Sequence, residues 1–200
     1  MLHRSCDFAI IKGNVVENSM DSGVAVYESS NCEISHNNLS GNKNGIRMSM
    51  GSFDNIVLEN NIVINGPDEE YAIYMYRGSD VPEVSLDGRP RNNGFYDNTI
   101  TSDGSVVMST EADDNIFEGN TIVSGLESRF VDSYNTLWFG NSVPSGHEFK
   151  MELGSCFDPD SDMDYFATGT LSYSYSYSYD FSYEYDFSYE YGEGFFCGVF

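Results

Sequence analysis

Arginine and tyrosine at matched positions of a short repeat are the residues of this chain with the clearest chemistry. Val24-Ala25-Val26, Ile46-Arg47-Met48 and Ile73-Tyr74-Met75 read as strand triplets. Neighbouring side chains of a strand face opposite sides, so Val24 with Val26, Ile46 with Met48 and Ile73 with Met75 form an inward aliphatic stack. Ala25, Arg47 and Tyr74 then share an external column. His3, Tyr27, Ser49 and Tyr76 fill the next column, with Arg4, Glu28, Met50 and Arg77 beside it. Guanidinium groups pair bidentately with carboxylates, and tyrosine rings lie flat on sugar faces. Arg4, Tyr27, Glu28, Arg47, Tyr74, Tyr76 and Arg77 are therefore candidate ligands for an acidic saccharide. A plainer alternative stays open, in which the arginines pair with local acids such as Glu28 and the tyrosines only cover the core.

The elements that would hold these residues follow from an internal repeat. An asparagine, a variable residue or two, an aliphatic, a second Asn or Gly and a short apolar strand recur with leading residues Asn14, Asn37, Asn60, Asn98, Asn120 and Asn141. The intervals are 23, 23, 38, 22 and 21 residues. The long one contains positions 78 to 94, GSDVPEVSLDGRPRNNG, whose Gly, Pro and Asn content predicts an inserted loop. A period near 22 is too short for paired helices, and the leucine-rich consensus is missing. The expected fold is all-β: a right-handed parallel β-helix of about five to six coils. Asparagines at one corner would stack, tolerating a left-handed bend and bonding amide to amide.

Composition narrows the function. Nine Lys and Arg against 32 Asp and Glu leave a net charge of −23, which excludes nucleic acid as a partner. A polyanion would need a locally basic strip. No apolar run is long enough to span a membrane, and the first residues lack the features of a signal peptide. Cys6, Cys32, Cys156 and Cys197 are too few for a disulfide scaffold and show no metal spacing. A Cys156–Cys197 bridge is open to them and required by no motif.

Three segments, Asp21 to Ser29 (DSGVAVYES), Gly41 to Met50 (GNKNGIRMSM) and Tyr71 to Pro82 (YAIYMYRGSDVP) continuing into Gly88 to Arg91, resemble the mannuronan C-5 epimerases of brown algae and, more distantly, the bacterial alginate epimerase. The resemblance covers roughly residues 1 to 146. It implies a β-helix that converts D-mannuronate to L-guluronate within alginate, an alginate or related polyuronate partner, no cofactor, and a secreted or cell-wall location. It also implies a catalytic base in an Asp-Pro-His-Asp motif, which these 200 residues lack. No catalytic residue is thus expected to be retained, His3 being the one candidate on the strip, while His36 reads as a corner residue and His147 as a coil exit. Met1 falls inside a repeat, so the expectation is a fragment, inactive alone and open to self-association through its bare coil edge. A non-catalytic uronate-binding β-helix and a polysaccharide lyase are the alternatives.

After the β-helix at 1–146, residues 147–171 read as an acidic linker and 172–200 as a low-complexity tail. Asp158, Asp160, Asp162 and Asp164 alternate as in a calcium loop, but Met163 and Gly169 stand where the turn glycine and the bidentate Glu belong, so no metal site is expected beyond a weak attraction for calcium. From Tyr173 to Tyr191 an aromatic occupies every second position, and DFSYEY occurs twice. That period predicts a strand with one aromatic face, able to self-associate.

Overall fold

The computed structural model describes residues 1–66 and 70–162, the backbone of Thr170–Tyr175 and Tyr185–Ser188, and Cys197. Among the described residues the strands form three sheets of nine, six and five strands, wound as a right-handed parallel β-helix of about six turns. The first sheet stacks Leu2–His3, Ser22–Tyr27, Asn44–Ser49, Tyr71–Tyr76, Ser105–Thr110, Glu127–Val131 and Glu148–Glu152, all parallel. The second runs from Ile10–Lys12 to Leu137–Phe139, and the third from Val15–Glu17 to Thr121–Ser124.

The inward positions are those expected from the triplets: Val24 pairs with Ile46 and Ile46 with Ile73, while Val26, Met48 and Met75 follow in register and are fully buried. The second sheet contributes Ile34, Val57, Phe95, Phe117 and Trp138 to the core, and the third contributes Leu39, Ile62, Ile100 and Ile122. Aliphatic at its beginning, the core turns aromatic toward its end. Phe95 and Phe117 stack at 4.7 Å, Trp138 lies 5.2 Å from Phe117, and Phe149 meets Trp138 edge-on at 5.1 Å.

Asparagines lie one over another as the repeat predicts. Each amide in the series Asn14, Asn37, Asn60, Asn98, Asn120 and Asn141 donates from Nδ2 to Oδ1 of the next, at 2.8–3.0 Å. The same Oδ1 atoms accept the backbone N–H of the preceding asparagine, so each of these five oxygens closes two hydrogen bonds between coils, buried from Asn37 onward. One detail differs from expectation. The left-handed residue at this corner is not the asparagine but the residue before it, Gly13, His36, Glu59, Asp97, Gly119 or Gly140, with φ from 50 to 68°. The asparagine is kept for its amide, which has both a donor and an acceptor to give. A second ladder, Asn55 to Asn93 to Asn115 at 2.9 and 3.0 Å, runs at the corner between the first and second sheets. His36, as the corner residue it was read to be, pairs with Glu59 of the next coil at 2.9 Å.

Parallel stacking passes position 146. Glu148–Glu152 pairs with Glu127–Val131 in the first sheet, Phe149 and Met151 enter the core, and Phe157 bridges Thr136 and is buried. This segment is acidic in its exposed positions, and acidic composition alone does not distinguish a linker from a coil whose outer face carries the charge. Thr170–Tyr175 adds parallel to Glu148–Glu152, and Tyr185–Ser188 adds antiparallel to that. The rest of the aromatic tail, with Asp164, Met163 and Gly169 of the calcium-like run, lies outside the described residues. Cys156 and Cys197 form a disulfide with Cα atoms 5.1 Å apart.

His147 caps the interior of these last coils. Buried, it places Nδ1 3.0 Å from the Gly125 carbonyl and Nε2 3.0 Å from Ser128 Oγ, with Phe149 against its ring. Burial pushes its pKa below the ordinary value of 6.5, partly opposed by the Gly125 carbonyl and by Glu127 and Glu148. A base whose folded pKa is depressed lends its stability above the unfolded pKa, and loses it as pH falls. Denaturation midpoints of the wild-type chain are therefore expected to hold steady above pH 6.5 and drop below it. His147→Gln should drop less over the same range, and an identical drop in both would show that this imidazole is not the titrating group.

Candidate functional site

Register along the first sheet sets out the external columns. Ala25, Arg47, Tyr74, Met108, Arg129 and Lys150 are successive partners, and His3, Tyr27, Ser49, Tyr76, Thr110, Val131 and Glu152 form the parallel series. The columns are in the order the triplets predict. What they present differs along the stack.

In the middle coils the strip is open and aromatic. Tyr74 is 4.6 Å from Tyr76, nearly parallel to it, and 5.2 Å from Tyr71. The three rings make a platform on one strand, half-buried by their mutual packing, and that burial raises the Tyr74 pKa. Arg47 flanks the platform on one side and holds Asp21 at 2.8 Å. On the other side, beyond Met108, Arg129 grips both oxygens of Glu152 at 2.6 and 2.9 Å, and Lys150 sits on Glu127 and Glu148. Cationic groups are thus present at the strip, each already carrying a protein carboxylate.

The first coils are covered. The insert leaves the sheet after Tyr76 and folds back over coils that precede it. Glu28, expected on the outer strip, is 2% exposed because the backbone N–H groups of Glu83 and Val84 both donate to its Oε1. Ser49 and Met50, read as outward-facing, are each 1% exposed; Gly78 lies against Met50, and Ser85 lies against the neighbouring Gly51. Arg4 carries Glu28, Asp80 and Glu83 together, and the Tyr27 hydroxyl donates to Asp80, which holds the Tyr27 pKa above its ordinary value. His3 stacks on Tyr27 at 4.9 Å and is exposed. Arg77 turns into the insert and donates from Nε to the Asp87 carbonyl at 2.7 Å and from a terminal nitrogen to the Gly78 carbonyl at 3.1 Å. At the other end of the insert Arg89 clasps Asp113 and Asp132 of the following coils, beneath the Tyr134 ring. Arg91 already belongs to the coil, bridging Phe53 and Asp113.

Of the seven residues read from sequence, the structure brings Arg47, Tyr74 and Tyr76 together on the open strip. It sets Arg4, Tyr27 and Glu28 under the insert and uses Arg77 to anchor it. Tyr71, Met108, Arg129 and Lys150 were missed. The phase that located Arg47 also locates three of them, since Val107-Met108-Ser109, Ser128-Arg129-Phe130 and Phe149-Lys150-Met151 repeat the same alternation.

Among the described residues no group of three or more His, Cys, Asp or Glu converges as a metal site. Both His147 nitrogens have partners, Cys32 is buried with Sγ near the Cys6 and Ser30 carbonyls, and Cys6 is exposed. Asp160 turns its backbone N–H onto Asp158 at 2.7 Å, a local turn rather than a cage.

A parallel β-helix with an aromatic, arginine-flanked outer strip is thus the class of protein that fold and strip define. Residues 1–141 match the family model described as periplasmic copper-binding protein (NosD), and the chain belongs to that family. No curated protein and no solved structure matches it.

Proposed function

We propose that this chain is a mannuronan C-5 epimerase-like β-helix whose open strip binds polyuronate, and that it binds the polymer without inverting it. The observation that carries the reading is the platform of Tyr71, Tyr74 and Tyr76 with Arg47 in the same column as Tyr74. The rings offer flat apolar area to a sugar face, and the guanidinium offers a paired donor to its carboxylate. Exchange of Asp21 for a uronate on Arg47 replaces one carboxylate with another on the same guanidinium, and the Asp21 side chain it releases is 60% exposed. The net charge of −23 opposes a polyanion at long range, but at about 0.15 M salt that field is screened beyond about 8 Å. Contacts in the strip are closer than that.

Absence of the Asp-Pro-His-Asp motif from these residues is why the proposal stops at binding. Affinity electrophoresis through polymannuronate at about 0.15 M salt is expected to retard the wild-type chain, and Arg47→Ala with Tyr74→Ala to weaken retention about tenfold, the equivalent of roughly 1.4 kcal/mol. Equal retention by the double variant would remove the strip from the interaction. Proton NMR of the incubated polymer should show it unchanged: new guluronate signals would make the chain an epimerase, and unsaturated ends a lyase.

The family description names copper, but no group of three or more His, Cys, Asp or Glu converges among the described residues to hold it, and both His147 nitrogens already have partners. No step is assigned to it. A periplasmic or extracellular location is part of the proposal, supported by the family description and by the Cys156–Cys197 disulfide, a bond that persists in oxidising compartments. Among the described residues no helix is long and apolar enough to cross a membrane. Self-association through the aromatic tail is part of the same proposal, and sedimentation of the full chain across a concentration series tests it.

A further inference from the structure

The insert makes an unusual set of contacts with the first coil. Arg4 presents Nε to Glu28 at 3.4 Å, while its terminal nitrogens face outward to Glu83, to Asp80 at 4.0 Å and to the Val81 carbonyl at 3.4 Å. Asp80 also takes the Tyr27 hydroxyl, and the Tyr27 ring is sandwiched between His3, at 4.9 Å, and the Arg4 guanidinium, 5.6 Å from its centre. Without the insert, these residues would form an open arginine edge beside a tyrosine, in the two columns next to that of Arg47 and Tyr74. That is the same pairing of groups the open strip uses, and the side chains that fill it are carboxylates.

The side-chain fastening is polar and shallow, while beneath it the Glu83 and Val84 amides donate to the buried Glu28. Asp80 and Glu83 side chains are 62% and 66% exposed, and the apolar residues of this stretch point away from the coil: Val81, Val84 and Leu86 are 80%, 55% and 99% exposed. Exposed ion pairs are weak and exchange readily. Both ends of the insert are held separately, by Arg77 and by Arg89, so its middle can lift without the coils separating.

We infer that residues 79–86 are a strap whose own carboxylates, Asp80 and Glu83, occupy a second uronate site formed by Arg4 and Tyr27, and that a polyuronate competes with the strap for it. The inference rests on the proposed binding function and adds to it a site and a regulator. When the strap lifts, Glu28 keeps its place on Arg4 Nε, and the outer edge of the guanidinium takes a sugar carboxylate in place of Glu83. The accessible strip then lengthens from the middle coils to the first.

The test uses the full chain, oligomannuronate as the probe, and Asp80→Asn with Glu83→Gln. The double variant is expected to bind at least about fivefold more tightly than wild type. In the wild-type chain, saturating oligomannuronate is expected to speed hydrogen exchange at the Glu83 and Val84 amides, whose acceptor is Glu28. Equal or weaker binding by a folded double variant overturns the strap, as do amides that stay protected at saturation. In either case wild-type binding that still depends on Arg47 and Tyr74 leaves the proposed function standing. Should the double variant fail to fold, exchange in the wild-type chain decides alone. If neither protein binds, both readings fall.

Discussion

Asn60→Ala is expected to lower the unfolding free energy by about 3–5 kcal/mol, because one truncation strands several buried partners at about 1–3 kcal/mol each. Oδ1 of Asn60 accepts from the backbone and the side chain of Asn37, both at 2.9 Å. Its Nδ2 donates to Asn98 Oδ1 and to the carbonyls of Ile34 and Leu58. Asn60 is 1% exposed, so water does not replace what is lost. Asn14, at the exposed end of the same ladder, is only a donor in it, from its backbone N–H and its Nδ2 to Asn37 Oδ1 at 2.9 and 3.0 Å, and it is in contact with solvent. Asn14→Ala should therefore cost about 1 kcal/mol or less. Urea unfolding of the two variants side by side separates the ladder from any general intolerance of the corner. Equal losses, or a loss at Asn60 under about 1 kcal/mol, would mean that amide stacking does not hold the coils together.

Phe117→Ala is expected to cost about 3–5 kcal/mol through loss of apolar burial and the cavity left behind. Phe117 is 1% exposed, with Phe95 stacked on one face at 4.7 Å and Trp138 on the other at 5.2 Å. The backbone around it is tied into ladders on both sides, Gly94 to Ile116 to Leu137, so the coils cannot close in on the hole. Phe117→Leu fills most of that volume and should cost under about 1.5 kcal/mol. The chain has a single tryptophan, Trp138, so its emission reports from the neighbouring coil. An apolar cavity stays dry, and the native emission of Phe117→Ala is expected to remain that of a buried indole while the midpoint falls. A red-shifted native spectrum would mean the last coils have opened, which would place the loss in local unfolding instead.

Much of this architecture was legible in the one-dimensional chain, because a coil repeats both its chemistry and its phase. Asparagines at intervals of 23, 23, 38, 22 and 21 residues determine which side chains meet, since stacked coils put equivalent positions about 4.8 Å apart. Alternation within the triplets then separates Val26, Met48 and Met75, in the core, from Arg47 and Tyr74 outside it. The same reasoning, carried two and three coils beyond Tyr74, reaches Arg129 and Lys150. The one long interval, with its Gly, Pro and Asn content, also marks 78 to 94 as an insertion, four residues longer than the loop that the structure closes before Arg91.

What periodicity does not carry is the path of the segment that breaks it. Only the tertiary structure decides that the insert folds back over earlier coils rather than forward over later ones. That choice changes the roles of residues upstream, two of them far away along the chain. Glu28 goes from surface acid to buried acceptor, Arg4 from free cation to clasped one, and Arg77 from candidate ligand to anchor. Nor does composition reveal that residues 148–152 continue the sheet, since this outer face is as acidic as a linker while Phe149 and Met151 point inward. The repeat by itself determined which residues are neighbours along the stack, because strand pairing between equivalent coils is local and periodic. Whether a neighbour is open to a ligand was decided by an aperiodic loop, whose contacts depend on shape and on charge brought together across the fold.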